Sequence, residues 1–434
     1  MTPATSALIL FGVFLGLAFL RVPIGVALAF SCMATCIFSG KVPLEFVAQS
    51  MVTAADSFPL MAIPLFILAG EIMGQGGIAK RLLNCGNVFF GRVCGGTAIV
   101  TVVCCMFFAA ISGSGPATVA AIGGITIPVM IEMGYDRKFA CGITAAAGAL
   151  GCIIPPSIPM VTYSVFANSS VGALFMAGFV PGILMGSLLC LYSYFHCKKR
   201  GYSNASVEKY TFQQALRVFW DAKWSLMVPV IILGGIYGGI FTPTEAAGVA
   251  VAYGVIVGCF VYREINVKQL YEVFANAAVT CGTIMLIMCC AGSFSRILAL
   301  EKIPALVSNA LLGLTSSKVG VLIMVNVIMM IAGCFIDPNS GIIILGGIFL
   351  PLLKSLDVSI IHIGIIMVMN LSLGMVTPPI GADLFVACNI SGAGLGEVSK
   401  GAIKPLLIMF AIVFLATFVP EITIGLPKLL GMKF

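Results

Sequence analysis

Long apolar stretches dominate the chain, and short polar breaks separate them. The stretches run for roughly 15 to 25 residues each, which is the length of a helix that spans a bilayer. Strands of a membrane barrel would instead show about ten residues of alternating polarity. The pattern therefore predicts an all-α, polytopic membrane protein. The first stretch, near 5–20, lacks a basic flank and a small-residue cleavage site, so we expect a retained helix and not a signal peptide.

Composition supports this prediction and narrows the chemistry. Of the 434 residues, 60% are apolar and 9% are charged, with a mean hydropathy of +1.14; a soluble domain has about 25% charged residues. The 16 cysteines lie mostly in apolar stretches without a CxxC pair, which predicts small buried side chains and no metal centre. The net charge of +7 comes from basic residues scattered over short loops, which argues against nucleic-acid binding.

The two halves of the chain repeat each other at a shift of 223 residues. GVALAF at 25–30 maps onto GVAVAY at 248–253, and GGITIPV at 123–129 maps onto GGIFLPL at 346–352. The register holds without gaps except between about 60 and 110. An internal repeat of this kind is typical of secondary transporters.

The distribution of Lys and Arg predicts the orientation, because short cytoplasmic loops are enriched in both. The run KKRGYSNASVEKY at 198–210 is the clearest cytoplasmic loop. Counting spans outward from it places sixteen of the 23 basic residues in the cytoplasm, the amino terminus outside, and Arg296 at membrane depth. The first repeat then starts outside and the second inside, which is inverted topology. The basic residues placed outside are Lys41, Lys302, Lys318, Lys354, Lys428 and Lys433.

We therefore divide the chain into a first inverted repeat at 1–195, a cytoplasmic linker with an amphipathic helix at 196–224, and a second inverted repeat at 225–434. Each repeat contains a segment that enters and leaves the membrane on one side, at 97–135 and at 320–355. Each arm has roughly 16 residues, or about 24 Å of helix against a hydrocarbon core of about 30 Å. We expect two re-entrant hairpins that enter from opposite faces.

A polar or glycine-rich tip marks the middle of each hairpin, and a proline pair interrupts the helix that follows. The tips are SGSGPAT and DPNSG, and the breaks are IIPPSIP within the helix at 138–168 and VTPPI within the helix at 358–390. An internal proline costs a helix about 3 kcal/mol, and bare backbone at membrane depth is tolerated only where it lines a site. We expect the two discontinuous helices to face the two tips and offer carbonyls and helix ends to small ions. Kinking for packing is the alternative interpretation.

Three shorter segments have apolar residues on one helical face, at 44–51, 267–274 and 206–222. They predict amphipathic helices that lie in the membrane interface.

The motifs together resemble the large membrane (M) subunit of the tripartite ATP-independent periplasmic (TRAP) transporters, over essentially the whole chain. The resemblance implies a sodium-driven elevator importer in the bacterial inner membrane, with an ion-transporter-superfamily-like fold. It implies Na⁺ as the coupling ion and no cofactor. It also implies a separate small membrane subunit of about four spans and a soluble periplasmic substrate-binding protein, with carboxylates, dicarboxylates or sialic acids as substrates. The motifs are SGSGPAT, GGITIPVMIEMGYDRKFA, IIPPSIP, GGIYGGIFTPTEAAGVAVAY and VTPPIG.

The resemblance also assigns residues to sites. The first cation site comprises Ser112, Ser114, Gly151, Ile154 and Pro156. The second comprises Asp337, Asn339, Ser340, Gly374, Thr377 and Pro379, and the substrate contacts are Ser114, Ser157, Arg296 and Asp383.

Each candidate has a structural alternative that the sequence leaves open. Ser112 and Ser114 would equally cap half-helices, and Asp337 would cap the arm that follows it. Arg296 could snorkel to the outer interface, and Asp383 could complement the dipole of its own helix or meet an ion. For Glu245 the capping box with Thr242 favours the structural role, and His196 and His362 have no catalytic partner.

Other classes of function fit the sequence less well. The chain contains no GxxxxGK[ST] loop, so it is not expected to hydrolyse ATP. An intramembrane enzyme would need paired acids or a nucleophile with its base, and neither pattern is present. An ion channel, or another ion-coupled carrier of the same superfamily that works without a binding protein, remains the alternative.

Overall fold

The computed structural model describes residues 2–202, 210–315 and 317–432, and within these ranges the regular structure is entirely helical. Eight of the described helices are long and apolar enough to cross a membrane. The predicted all-α membrane fold is therefore confirmed.

Eleven helices precede residue 201. They are α1 Pro3–Phe19, α2 Ile24–Ser39, α3 Glu45–Ala55, α4 Ala62–Gln75, α5 Ile78–Phe90, α6 Gly96–Ser112, α7 Gly115–Thr118, α8 Gly124–Glu132, α9 Arg137–Gly148, α10 Ile158–Ala167 and α11 Val171–Arg200. A π-helical turn at Val119–Gly123 joins α7 to α8, and short 3₁₀ turns lie at Phe58–Met61 and Ala149–Cys152.

Ten helices follow within the described residues. They are α12 Phe212–Tyr237, α13 Pro243–Val255, α14 Val267–Leu300, α15 Ile303–Leu314, α16 Lys318–Gly333, α17 Pro338–Ser355, α18 Ile360–Gly374, α19 Ala382–Ser391, α20 Leu395–Phe418 and α21 Glu421–Leu429. A π-helical turn at Ile256–Val261 extends α13.

Equivalent helices occupy equivalent positions in the two halves. At the shift of 223 residues, α6 corresponds to α16, the α7–α8 run to α17, α9 to α18, α10 to α19 and α11 to α20. Cys152 and Met375 are equivalent residues, and their sulfur atoms lie 3.9 Å apart. Residues related by a two-fold operation can contact each other only near its axis, so the approximate two-fold axis of the repeat passes between these side chains.

The second half differs from the first where it lacks a helix breaker. In the first half, α3 ends before Asp56, and Pro59 lies in the 3₁₀ turn that leads into α4. The second half has no proline between 267 and 300, so α14 continues for 34 residues from its capping box at Asn266. The segment 267–274 is thus the first part of a long helix, and the prediction of a separate interfacial helix there is wrong.

The helices around the predicted linker are also continuous. α11 extends to Arg200, and α12 runs without interruption from Phe212 into the apolar segment that ends at Tyr237. Part of the predicted amphipathic segment, 206–209, lies outside the described residues. The remainder forms the first turns of α12, because Thr211 and Gln214 make a capping box that begins the helix there. The structural role predicted for Glu245 is confirmed, since its carboxylate accepts from the backbone N–H of Thr242 at 2.8 Å.

A buried carboxylate joins three parts of the fold. Glu301, between α14 and α15, is 2% exposed and accepts hydrogen bonds at 2.7 Å from Ser6 on α1 and from Lys41 after α2. Desolvation alone would raise the pKa of Glu301, but the hydrogen bonds from Lys41 and Ser6 lower it below the ordinary value. The ionised form of Glu301 is therefore the one that the fold stabilises.

Candidate functional site

The first hairpin turns through a small cluster of oxygen atoms. α6 ends at Ser112, and Gly113 has a φ of +64°, which glycine adopts without strain. The Ser112 hydroxyl lies 3.0 Å from the hydroxyl of Thr118 and donates to the Ser114 carbonyl at 3.3 Å. Thr118 also donates to that carbonyl, at 2.8 Å. Three oxygens thus lie within hydrogen-bonding distance of one another at the tip.

The first break is a buried, non-helical segment opposite this tip. The 3₁₀ turn that follows α9 ends at Cys152, and α10 begins at Ile158 after a cis peptide bond between Pro155 and Pro156. Ser157 caps α10 by accepting from Met160 N–H at 3.3 Å, and its hydroxyl donates to the Cys152 carbonyl. The Ser157 hydroxyl therefore makes one hydrogen bond as acceptor and one as donor, both within the break.

Tip and break contact each other directly in the first half. The Ile158 N–H donates to the Gly113 carbonyl at 3.2 Å. A β-carbon at Gly151 would overlap the Ser114 carbonyl and would lie 2.7 Å from the Thr118 hydroxyl oxygen, so only glycine fits there. The structure brings four predicted members of the first cation site together: Ser112, Ser114, Gly151 and Pro156. The Ile154 side chain instead points to α11, where it contacts Gly182.

The second hairpin tip is organised by a carboxylate. Asp337 caps α17, because its side chain accepts from the N–H groups of Asn339 at 3.0 Å and Ser340 at 3.2 Å and from the Ser340 hydroxyl. The capping role that the sequence left open is thus present. The Asn339 side-chain carbonyl accepts from the Thr162 hydroxyl of α10 at 2.9 Å. The second tip is consequently bound to the half-helix that follows the first break.

The second break is packed on one side and exposed on the other. Gly374 ends α18, and a β-carbon there would overlap the backbone of Gly333 at the end of α16. The Thr377 N–H and hydroxyl both bond back to carbonyls of α18. A second cis bond joins Pro378 and Pro379, which are exposed whereas the equivalent prolines of the first break are buried. The two sites therefore differ in their access to the surroundings.

Asp383 places a buried carboxyl group beside the first tip, from the opposite repeat. The residue lies in the first turn of α19 with 0% exposure, and neither carboxylate oxygen has a hydrogen-bond partner among the described residues. A β-carbon added to Gly115 would lie 2.9 Å from each of these oxygens, so the carboxylate faces the backbone just after Ser114. A buried ion without a partner is costly, and a cation or a proton at this position would remove the cost.

The donors at the tips and breaks suit a hard monovalent cation. They are hydroxyl and carbonyl oxygens, with one carboxylate near each tip. Among the described residues, no cluster of three or more His, Cys, Asp or Glu side chains has the geometry to hold a metal ion. Oxygen ligands of this type bind Na⁺ in transporters with interrupted helices.

A family model for the tripartite ATP-independent periplasmic transporter, DctM component, matches residues 11–422. The chain belongs to this family. It is accordingly a TRAP-transporter large permease and not an enzyme.

Named relatives support the family over the full length of the chain. The isethionate TRAP transporter permease protein DctMQ of Oleidesulfovibrio alaskensis is 47% identical over 95% of the chain, which spans 65% of that relative. The C4-dicarboxylate TRAP transporter large permease protein DctM of Rhodobacter capsulatus is 37% identical, with 98% of the chain and all of the relative covered. The sialic acid large permease SiaM of Vibrio cholerae is 32% identical over 96% of the chain and 97% of the relative.

A solved structure shares the fold. The YdaH transporter of Alcanivorax borkumensis, described as having an unusual topology, superposes with a TM-score of 0.62 over 88% of this chain and 89% of its own. Its sequence is 15% identical, so this likeness concerns the fold alone.

Two residues of this DctM-family permease stand apart from the sequence predictions. Arg296 is exposed on α14 and has no hydrogen bond or ion pair with any described residue, and it is not part of the tip and break contacts. Thr118 was missed as a site residue, although it donates to Ser114 and contacts Ser112. Its position four residues after Ser114, on the same face of a helix that starts at the tip, is the signal that identifies it.

Proposed function

We propose that this permease subunit imports a small organic acid by sodium-coupled secondary transport. It works by an elevator mechanism, in the bacterial inner membrane, with its amino terminus in the periplasm. A separate small membrane subunit of about four spans and a soluble periplasmic substrate-binding protein complete the system. The binding protein delivers the substrate from outside.

The observation that supports sodium coupling most strongly is the contact between a hairpin tip and a helix break in the first half. Gly113 and Ser114 lie against Gly151 and Ile158 through backbone atoms. Each carbonyl that a helix break releases must find a partner in a membrane protein. A sodium ion bound between tip and break satisfies such carbonyls and stabilises the contact. Removing the ion loosens it.

The elevator mechanism is supported by the way the four elements cross-link. Thr162 of α10 bonds to Asn339 of the second tip, and Asp383 of α19 faces Gly115 of the first tip. With the contact between Cys152 and Met375, both tips and both breaks form one connected body. Such a body can move as one unit and carry its sites across the membrane, which is the motion that an elevator mechanism requires.

The proposal gives each candidate residue a role. Ser112, Ser114, Gly151, Ile154 and Pro156 form the first cation site. We place Asp383 on the cation side of the mechanism, because its carboxylate, when ionised, attracts a cation and repels an anionic substrate. The second cation site comprises Asp337, Asn339, Ser340, Gly374, Thr377 and Pro379. We keep Ser114, Ser157 and Arg296 as the proposed substrate contacts on the family resemblance alone, because the Ser157 hydroxyl is bonded within the break and Arg296 makes no contact with the described residues of the tips or breaks.

The energetics of two sodium ions are sufficient for an anion. Each ion gains about 2.3 kcal/mol from a potential of about 100 mV and about 1.4 kcal/mol from a tenfold concentration gradient. A substrate monoanion that enters against the same potential loses about 2.3 kcal/mol. The remaining free energy, about 5 kcal/mol, supports several thousandfold accumulation.

The substrate class follows from the relatives, whose names include isethionate, C4-dicarboxylates and sialic acid. All three are small organic anions. We propose an anion of this kind and leave its identity to the binding protein, which selects the substrate before the permease receives it.

The test is uptake of a labelled organic acid into proteoliposomes that contain both membrane subunits, with the binding protein outside. We expect uptake only with an inward sodium gradient and only with the binding protein present. Uptake that needs sodium but not the binding protein would instead support a carrier of another type. Sodium-independent uptake, or currents without accumulation, would overturn the mechanism and favour a channel.

A further inference from the structure

The tryptophans of the chain form a single patch. The sequence contains two tryptophans, Trp220 and Trp224, which lie one turn apart on α12 and are 70% and 39% exposed. The Lys223 ammonium lies 3.5 Å from the ring centroid of Trp220 and 5.3 Å from that of Trp224. Tryptophan and lysine in such an arrangement are typical of the boundary between hydrocarbon and headgroups.

A surface groove runs along this part of α12. One depression of about 550 Å³ is lined by both tryptophans, by Lys223 and Arg217, and by Asp221 and Tyr262. An adjacent depression of about 720 Å³ shares Arg217 and Trp220 with the first. We call these two depressions the α12 groove.

The charges around the groove form a paired set and an unpaired set. Asp221 and Glu264 both pair with Arg81, at 3.7 Å and 3.3 Å, and the Arg81 guanidinium stacks 3.6 Å above the Tyr262 ring. Arg217 and Lys223 have no carboxylate partner among the described residues. The five charged groups sum to +1, and the positive charge without a partner lies beside the tryptophans.

Exposed apolar side chains lie in and beside the groove. Leu216, Val261 and Phe260 are 58%, 40% and 71% exposed. An occupant that matches the site must therefore combine a negative headgroup with hydrocarbon chains. A free phosphate ion would leave these apolar side chains in contact with water.

We propose that the α12 groove binds an anionic phospholipid, with the lipid phosphate between Arg217 and Lys223 and the acyl chains along the exposed apolar residues. Trp220 and Trp224 fix the depth of the headgroup. The groove lies at the end of α12 that the charge distribution predicts to be cytoplasmic, where a basic residue near an anionic membrane surface contributes about fivefold to binding. This proposal does not depend on the identity of the transported substrate.

The two tryptophans make the proposal directly measurable, because all tryptophan emission of the chain comes from the groove. The full chain is reconstituted in phosphatidylcholine vesicles that contain increasing fractions of brominated phosphatidylglycerol or, separately, brominated phosphatidylcholine. Bromine quenches tryptophan emission at short range. We expect half-maximal quenching at a mole fraction several times lower for phosphatidylglycerol than for phosphatidylcholine.

Charge variants test the assignment of the cations. Arg217→Ala and Lys223→Ala should each reduce the preference for phosphatidylglycerol by up to about fivefold, and the double variant should abolish it. Asp221→Asn should increase the preference, since it removes a negative charge from the groove. Lys199→Ala, at an exposed basic residue on α11, is the matched control and should leave the preference unchanged. Within each variant, the mole fractions of the two lipids that give half-maximal quenching are compared as a ratio. A change in the tryptophan emission of a variant therefore cancels.

Three results would overturn the proposal. The first is equal quenching of the wild-type chain by both brominated lipids. The second is a preference for phosphatidylglycerol that persists in a monodisperse Arg217→Ala, Lys223→Ala double variant. The third is quenching by aqueous iodide without quenching by either lipid, which would mean that the groove faces water.

Discussion

Replacing Gly151 with alanine would separate the first hairpin tip from the first break. The added β-carbon would lie 2.7 Å from the Thr118 hydroxyl oxygen and would overlap the Ser114 carbonyl, whereas an unstrained contact is about 3.5 Å. The tip must therefore move by close to 1 Å, and overpacking of this kind costs about 1–3 kcal/mol. If the displaced carbonyl binds the first sodium ion, the affinity should fall by about 5- to 150-fold.

The assay is the stabilisation of the purified permease by sodium against unfolding. A ligand at 100 times its dissociation constant adds about 2.7 kcal/mol to the free energy of unfolding. A 30-fold loss of affinity in Gly151→Ala would reduce this gain to about 1 kcal/mol. The gain is the difference between sodium and an organic cation at equal ionic strength, so a general loss of stability in the variant cancels.

The matched control lies in the same hairpin. A β-carbon on Gly124 would meet no atom within 4 Å, so Gly124→Ala should keep the full sodium effect. The reasoning would be refuted by a folded Gly151→Ala variant with an unchanged sodium titration, or by equal losses in both variants.

Three further predictions follow from other contacts. Asp383→Asn should remain folded, because the amide has nearly the shape of the carboxyl group and carries no charge. It should weaken the sodium dependence of uptake, and an unchanged sodium titration would argue against an ionic role. Glu301→Gln should lower the free energy of unfolding by about 1–2 kcal/mol at neutral pH. The lowered pKa of Glu301 stabilises the folded protein above pH 4.5, which is the pKa in the unfolded chain, and this stabilisation is lost as the pH falls through the lower pKa of the folded state. The free energies of unfolding of wild type and variant should therefore converge in that acidic range. Gly401→Ala should destabilise the permease by about 1–3 kcal/mol or more, since its β-carbon would overlap the Lys138 carbonyl of α9. Gly396→Ala is the control and should not destabilise the permease, because a β-carbon there has nothing within 4 Å. Equal thermal stability of the two glycine variants would contradict this packing.

The sequence predicted those features of the fold that depend on local breakers and on repetition. Helices end at Gly113 and at the proline pairs 155–156 and 378–379, as the sequence predicted, and the shift of 223 residues identified equivalent elements in both halves. The long α14 was not predicted, because amphipathic spacing at 267–274 does not reveal whether a helix continues beyond it. Continuity depended on the lack of a proline in the 26 residues that follow.

The sequence analysis grouped residues of both repeats at the candidate site, but it did not predict the individual contacts between the repeats. The family resemblance assigned Ser114 and Gly151 to one cation site, and it grouped Ser114 with Asp383 only as substrate contacts. The contacts of Asp383 with Gly115 and of Thr162 with Asn339 join residues separated by 268 and 177 positions. Such contacts depend on how the two halves pack against each other, which no local sequence pattern predicts. The difference in exposure between the two proline breaks arises in the same way, since different neighbours cover the two equivalent proline pairs.

The most direct test of the central claim is a pair of high-resolution density maps of the complex, one in sodium and one in an organic cation. The claim is that the non-helical segments persist at membrane depth because they bind the coupling ions. We predict density for an ion among the Ser112 hydroxyl, the Ser114 carbonyl and the backbone near Gly151 in sodium only, with a more mobile tip in its absence. Identical maps with no ion between tip and break, and with the hydrogen bond from Ile158 to Gly113 unchanged, would contradict the claim.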